Sequence, residues 1–295
     1  EGSAENMPKT HLPVGNNNAI HALGGVLHNE GICGTKTWVN IDGKSATVLI
    51  IFSLDDGSCR AVIEATVLGQ LRTAGITGVG TKLLAQDNIE EMAIIGSGKQ
   101  ALPQVGACAS VRPIKRVRIF SRNPKNRLAL AEQITQNLIT VEPVVCETLE
   151  RAVSDVPLIT LCTNATEPFF FSKHATTGAH INAIGAITPN RVEFGTDIFP
   201  RCHTIAVDSL SGVKVLSKEF IDYFGNHDGP WERVRPLSLL VAENGLKKHS
   251  GDLTLFKAVG MGLSDLAIAA NILRSSDEKK IGHKLPERHR VKLPL

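Results

Sequence analysis

The stretch from Met92 to Arg122 constrains the fold more than any other part of the chain. Met92-Ala93-Ile94-Ile95 is a short apolar run without polar alternation, the pattern of a strand buried on both faces of a parallel sheet. Gly96-Ser97-Gly98-Lys99-Gln100-Ala101 follows at once, in the order G-x-G-x-x-A. The pattern predicts a helix from there to about Val111, with Pro103 tolerated in its first turn, and a second strand over Val117-Arg118-Ile119-Phe120. Strand, glycine turn, small-residue helix and strand in this order form a dinucleotide-binding unit.

Each residue type has a reason in that unit. Gly96 permits the tight turn, Gly98 lets backbone amides approach a pyrophosphate, and Ala101 lets the helix pack close to the sheet. Ser97, Lys99 and Gln100 complete the turn as cofactor-binding candidates. A site for NAD(H) usually carries Asp or Glu at the end of the second strand, to bind the ribose 2′-hydroxyl. Here Ser121-Arg122-Asn123-Pro124-Lys125 stands there, with no carboxylate before Glu132. A hydroxyl, a guanidinium and an ammonium suit a 2′-phosphate, so NADP(H) is preferred and NAD(H) possible; the alternative is a solvated basic turn.

At 295 residues the chain is long enough for two domains, and 42% apolar with 21% charged residues describes an ordinary soluble protein. A net charge of +3 and few aromatics exclude a nucleic-acid groove or stacking platform. The basic residues Lys279, Lys280, Lys284, Arg288, Arg290 and Lys292 read as a solvated tail. Cys33, Cys59, Cys108, Cys146, Cys162 and Cys202 lack metal spacing and read as buried, reduced thiols of a cytoplasmic protein. No apolar run reaches the roughly 18 residues of a membrane span. The chain opens at Glu1-Gly2-Ser3 without a methionine, and a leading segment is expected to be missing.

Residues 1–18 read as polar and irregular, with a turn at Asn16-Asn17-Asn18. From Ala19 to about Leu68 the signal is antiparallel β, with a turn at Asp42-Gly43-Lys44 and a strong strand over Ala46-Thr47-Val48-Leu49-Ile50-Ile51-Phe52. A helix is expected from Leu71 to about Leu84, with Arg72 and Thr73 at its N-terminus, placed to bind an anion. Gly75, Gly78 and Gly80 cost roughly 1 kcal/mol each against alanine inside a helix, so the helix should pack close to another backbone or a ligand. Beyond Arg122 the α/β alternation continues, with strands at Leu158–Leu161, His180–Ile184, Thr204–Asp208 and Leu253–Lys257. The polar loop Thr163-Asn164-Ala165 follows the first of these, where a doubly wound sheet binds its ligand. His180 reads as a satisfied core histidine, and a helix through Asp265 to Leu273 closes the ordered chain. The fold expected is α/β: a Rossmann-type doubly wound parallel sheet over residues 72–257, with a smaller α+β substrate and dimerisation domain from residues 1–71 and 258–295.

At Arg72-Thr73, Gly96 to Ala101, Gly178-Ala179-His180-Ile181-Asn182-Ala183-Ile184-Gly185 and Phe256-Lys257 to Asp265, the chain resembles the ornithine cyclodeaminase and mu-crystallin family. The resemblance covers nearly all of residues 7–274, and implies a homodimer and a small-molecule imine or amino-acid substrate. It also implies Thr73, Ile184 and Lys257 as cofactor-site residues. Family members include cyclodeaminases, alanine dehydrogenases, ketimine reductases and a hormone-binding crystallin. Lys9 resembles the family's substrate-carboxylate arginine, Lys36 its active-site lysine and Arg72 its second anion-binding arginine. Lys36 and Arg72 are thus the catalytic candidates; Lys9, Lys36 and Arg72 are the substrate-binding ones.

One departure directs the functional reading. Cyclodeaminases and archaeal-type alanine dehydrogenases resemble each other in an Asp two residues after the glycine of H-I-N-A-I-G, where this chain has Ile187. Oxidising an amine needs a base for its proton, whereas reducing a protonated imine depends on one less. The expected function is therefore an NAD(P)H-dependent reductase of a small cyclic ketimine carboxylate. The alternatives are a cyclodeaminase or amino-acid dehydrogenase, and a non-catalytic NADP-dependent binding protein.

Overall fold

The computed structural model describes residues 3–15, 18–42, 44–225, 230–243 and 251–284. The chain divides into two compact units, Glu1–Leu68 with Gly262–Leu295, and Gly69–Met261. The first unit opens with five strands, β1 (Ala4–Pro13), β2 (Ala19–Leu27), β3 (Ile32–Ile41), β4 (Lys44–Ser53) and β5 (Cys59–Glu64), paired antiparallel in chain order. The irregular stretch expected before Ala19 is thus corrected to an edge strand. Its sequence hides it because it pairs through backbone, and Pro8 falls in the register shift between Met7 and Thr10. Asn16, Asn17, Gly43, Arg288, Arg290 and Lys292, read above as turn and tail residues, lie outside the described residues.

Helix α1 (Thr66–Leu84) follows, beginning five residues earlier than Leu71. Arg72 and Thr73 therefore sit inside the helix, not at its N-terminus. The Thr73 hydroxyl donates to the Gly69 carbonyl at 2.8 Å, so the expected anion site on first-turn amides is not at these residues. The second unit continues with β6 (Glu91–Ile95), α2 (Ala101–Val111), β7 (Arg116–Phe120), α3 (Pro124–Asn137), β8 (Glu142–Val145), α4 (Leu149–Val153), β9 (Leu158–Leu161) and β10 (His180–Ala183). Next come β11 (Cys202–Val207), α5 (Leu210–Leu216), α6 (Lys218–Phe224), β12 (Val234–Pro236), α7 (Leu237–Ala242) and β13 (Leu253–Lys257). The last element, α8 (Gly262–Lys279), belongs to the first unit, where Leu266, Ala269 and Ala270 share a core with Ile32, Leu49 and Ile51.

The eight strands of the second unit form one parallel sheet in the order β12-β11-β13-β10-β9-β6-β7-β8. Strand β13, last in sequence, lies between β10 and β11. Strands β9, β10 and β13 are buried at every residue, as apolar runs without alternation require when both faces are covered. Inside the sheet His180 shares hydrogen bonds with Thr254 Oγ1 at 2.8 Å and Asn182 Oδ1 at 3.0 Å, the partners a buried imidazole needs. All six cysteines are free thiols; Cys59 is exposed and Cys33 half-buried, against the expectation of burial for all six. Among the described residues no helix is long and apolar enough to cross a membrane.

The glycines of α1 differ in their surroundings. A Cβ at Gly80 would lie 2.8 Å from Cγ of the Phe256 ring, whereas one at Gly75 would meet no described atom within 4 Å. Gly75→Ala is expected to stabilise the protein by about 0.5–1 kcal/mol through helix propensity. Gly80→Ala is expected to destabilise it by about 1–3 kcal/mol through overpacking. Urea denaturation of the two variants checks this pair of opposite signs.

Candidate functional site

In the second unit the site begins where β6 ends. Gly96 leaves the strand at φ +119°, and a Cβ there would lie 2.6 Å from the Cys162 carbonyl oxygen, so only glycine fits the turn. Gly98 faces open space, with no described atom within 4 Å of an added Cβ. Gln100 gives α2 no side-chain cap, and Ala101 is fully buried beneath the turn. Ala101 N donates to the Gly98 carbonyl at 2.9 Å and Pro103 carries no N–H, so an anion lying over Gly98 would meet the amides of the turn itself and of Leu102.

The end of β7 is tied to this turn. Ser97 Oγ donates to Ser121 Oγ at 2.8 Å, and Ser121 Oγ to the Asn123 carbonyl at 3.2 Å. Asn123 Oδ1 accepts from the Lys125 amide at 2.9 Å as the N-cap of α3. Arg122 and Lys125 are exposed beside these residues, so the strand end presents two cations and no carboxylate.

On the other side of β6, the loop after β9 is held by a carboxylate the sequence did not single out. Glu193, fully buried, accepts from the Thr163 amide at 2.6 Å and the Thr163 hydroxyl at 2.9 Å. Burial raises its pKa, opposed by the Lys257 charge and by these hydrogen bonds. Ala165 N donates to Thr163 Oγ1 at 3.3 Å, and the Asn164 carbonyl accepts from Arg191. Ile184 is buried in a core with Leu84, Ala206 and Phe256. Lys257, a cofactor-site candidate of the resemblance, is fully buried with its ammonium 3.5 Å from Glu219 Oε2.

Arg72 borders a second anchored turn. Gly260, at φ +91°, leaves room for the guanidinium: a Cβ would lie 3.1 Å from Arg72 Nη2. Asp208, ending the apolar run of β11, accepts from the amides of Val259 at 3.0 Å and Gly260 at 2.7 Å. Burial raises the Asp208 pKa, while these amides and the Arg72 charge pull it back. An acid closing a buried strand was the sequence signal for this residue.

In the first unit, Lys36 on β3 is buried, with Nζ 2.5 Å from Oδ1 of Asp265 on α8. Lys36 Nζ and Lys9 Nζ lie 5.3 and 5.8 Å from the centroid of Trp38. The His21 ring stacks on Trp38 at 4.7 Å and 9°, with His11 a further 4.7 Å from His21. Alternation along the strands puts Lys9 and His11, and Lys36 and Trp38, on one face of the sheet. Lys9 and Lys36 are thereby brought to one aromatic, as two cations suited to a carboxylate. Asp265, His21 and Trp38 were not singled out as site residues by sequence.

An eight-stranded parallel sheet with a G-x-G-x-x-A turn on its first strand, in a chain that also forms a five-stranded antiparallel unit, defines a Rossmann-type nucleotide-binding protein with a second, smaller α+β unit. The chain belongs to the ornithine cyclodeaminase/mu-crystallin family, whose model matches residues 1–280. A Delta(1)-pyrroline-2-carboxylate reductase of Bacillus cereus is 26% identical over 242 residues, covering 81% of this chain and 73% of that protein. Ketimine reductase mu-crystallin of Macropus fuliginosus is 27% identical over 289 residues, covering 94% and 86%. The solved structure of Thermococcus litoralis Delta(1)-pyrroline-2-carboxylate reductase, in complex with NADH and L-proline, has a TM-score of 0.90 at 24% identity. That match covers 96% of this chain and 90% of the other, and establishes the shared fold.

Burial, then the charge of Lys9, then His11 lowers the His21 pKa from 6.5 to about 4. Between those values the unfolded chain binds the extra proton. The stability contribution is therefore full above pH 6.5 and lost as pH falls toward 4. After discounting for solvent screening this amounts to about 1–2 kcal/mol. Denaturation of wild type and His21→Gln at pH 7 and pH 5 should show the wild type losing that much more than the variant. Equal losses would remove His21 as the titrating group.

Proposed function

We propose that the chain is an NAD(P)H-dependent reductase of a small cyclic ketimine carboxylate, of the pyrroline-2-carboxylate or piperideine-2-carboxylate type, forming the cyclic L-amino acid. The observation that carries this reading is Ile187, two residues beyond Gly185, at the position where the family resemblance implies an aspartate in cyclodeaminases and archaeal-type alanine dehydrogenases. An aliphatic side chain takes up no proton, and reduction of a protonated imine requires none to be removed. The curated relatives described above, which bear the names of imine reductases, support the same direction.

The residues present fit a dinucleotide. Open space over the Gly98 turn suits a pyrophosphate, and exposed Arg122 and Lys125 suit a 2′-phosphate. When bound, the reduced nicotinamide supplies a hydride to the imine carbon. The family resemblance gives Lys9 and Arg72 as substrate-carboxylate residues. Lys36, paired with Asp265, would orient the substrate nitrogen or protonate it. Asp208 would fix the Gly260 turn against which the Arg72 guanidinium rests.

A homodimer belongs to the same proposal. The sheet face of the first unit opposite Leu49 and Ile51 leaves Val48 40% and Val62 55% exposed, apolar surface a second copy would cover.

Two measurements test the proposal. Arg122→Ala is expected to cost about 1.5–3 kcal/mol in NADPH binding, the scale of a charged hydrogen bond, and little in NADH binding. Equal losses would contradict the 2′-phosphate assignment. The wild type should reduce a cyclic ketimine carboxylate and release little ammonia from ornithine with NAD(P)+. Rapid ammonia release without imine reduction would contradict the reductase assignment.

A further inference from the structure

We infer that Glu193 is a positioning residue for the nicotinamide half of the cofactor, acting through the loops that follow β9 and β10. The inference rests on the dinucleotide reading above. Its side chain is fully buried and receives four hydrogen bonds from two separate strand ends. Oε1 accepts the amide and hydroxyl of Thr163 at 2.6 and 2.9 Å, just beyond β9. Oε2 accepts the amides of Gly185 and Ala186 at 2.7 and 3.1 Å, just beyond β10. One carboxylate thus joins two loops at the carboxyl edge of the sheet.

The loops are close enough for the carboxylate to set their spacing. A Cβ at Gly185 would lie 2.0 Å from the Thr163 carbonyl oxygen. Thr163 in turn follows Cys162, whose carbonyl abuts Gly96. The Glu193 backbone is itself anchored: its amide donates to Glu219 Oε1 at 3.0 Å. Glu219 Oε2 accepts from Ser217 Oγ at 2.6 Å and lies 3.5 Å from Lys257 Nζ at the end of β13. Two carboxylates and one ammonium, none of them more than 1% exposed, thereby connect the ends of three adjacent strands.

A dinucleotide in a doubly wound sheet spans the switch point, here the gap between β6 and β9. Its adenosine half would lie toward β7, where Ser121 and Arg122 stand. The nicotinamide half would lie toward β9 and β10, near the loops that Glu193 joins. Glu193 touches no reacting atom in this arrangement. It determines where the loop amides and Ile187 sit.

The test uses the full chain, titrated with NADPH and separately with 2′,5′-ADP, which carries only the adenosine half. Glu193→Gln places an amide NH2 against backbone N–H donors, so the two loops can no longer share one acceptor. NADPH affinity is expected to fall about ten- to a hundredfold, the scale of a loop misplaced by about 1 Å, while 2′,5′-ADP affinity stays within about twofold. Glu193→Asp keeps the charge beside Lys257 but cannot reach both loops, so it should show the same split and carries the test if Glu193→Gln does not fold. Equal losses for both ligands, no loss for either, or failure of both variants to fold would overturn the inference. A wild type that binds neither ligand would instead overturn the dinucleotide reading beneath it.

Discussion

The close approach of β6 to the strand beside it governs the second unit. Gly96 turns at φ +119° against the Cys162 carbonyl, with no room for a Cβ. Strands β6 and β9 therefore end together at the carboxyl edge, with the chain on one side leading to α2 and on the other to the Thr163 loop. The gap between them, the pairing of Ser97 with Ser121, and the exposure of Gly98 all follow from that turn. A bulkier residue at 96 would move every one of these features together.

Buried charge is the second organising constraint. Glu193, Glu219, Lys257 and Asp208 in one unit, and Lys36 with Asp265 in the other, are nearly or wholly removed from water. Burying such groups costs several kcal/mol per ion unless partners restore what hydration supplied. Glu193 and Asp208 meet most of that cost with backbone amides taken from loops at strand ends. The charges therefore shape loops. They add little net stability, since an apolar core of the same volume would serve that end as well.

The parts legible in the sequence were those whose signal is local. The β6–α2–β7 unit shows itself because a buried apolar run, a glycine turn and a helix lie within one short stretch. Strand β1 was missed because polar residues and two prolines mask an edge strand that pairs through its backbone. Helices α5, α6 and α7, of six or seven residues each, hold too few turns for a period to show. Glu193 reads as an ordinary loop carboxylate because its partners come from residues 163, 185 and 186. The ion pair of Lys257 with Glu219 was not legible, because Glu219 lies on a helix too short to predict.

The central claim is that a nicotinamide held at this edge delivers hydride to the carbon of a C=N bond. Reduction of a cyclic ketimine carboxylate with NADPH deuterated at C4 tests it most directly, read by mass spectrometry of the product. The account predicts one deuterium on the α-carbon of the cyclic amino acid, supplied from one face of the nicotinamide only. Product without deuterium from either C4 epimer, or oxidation of NADPH without product, would contradict it.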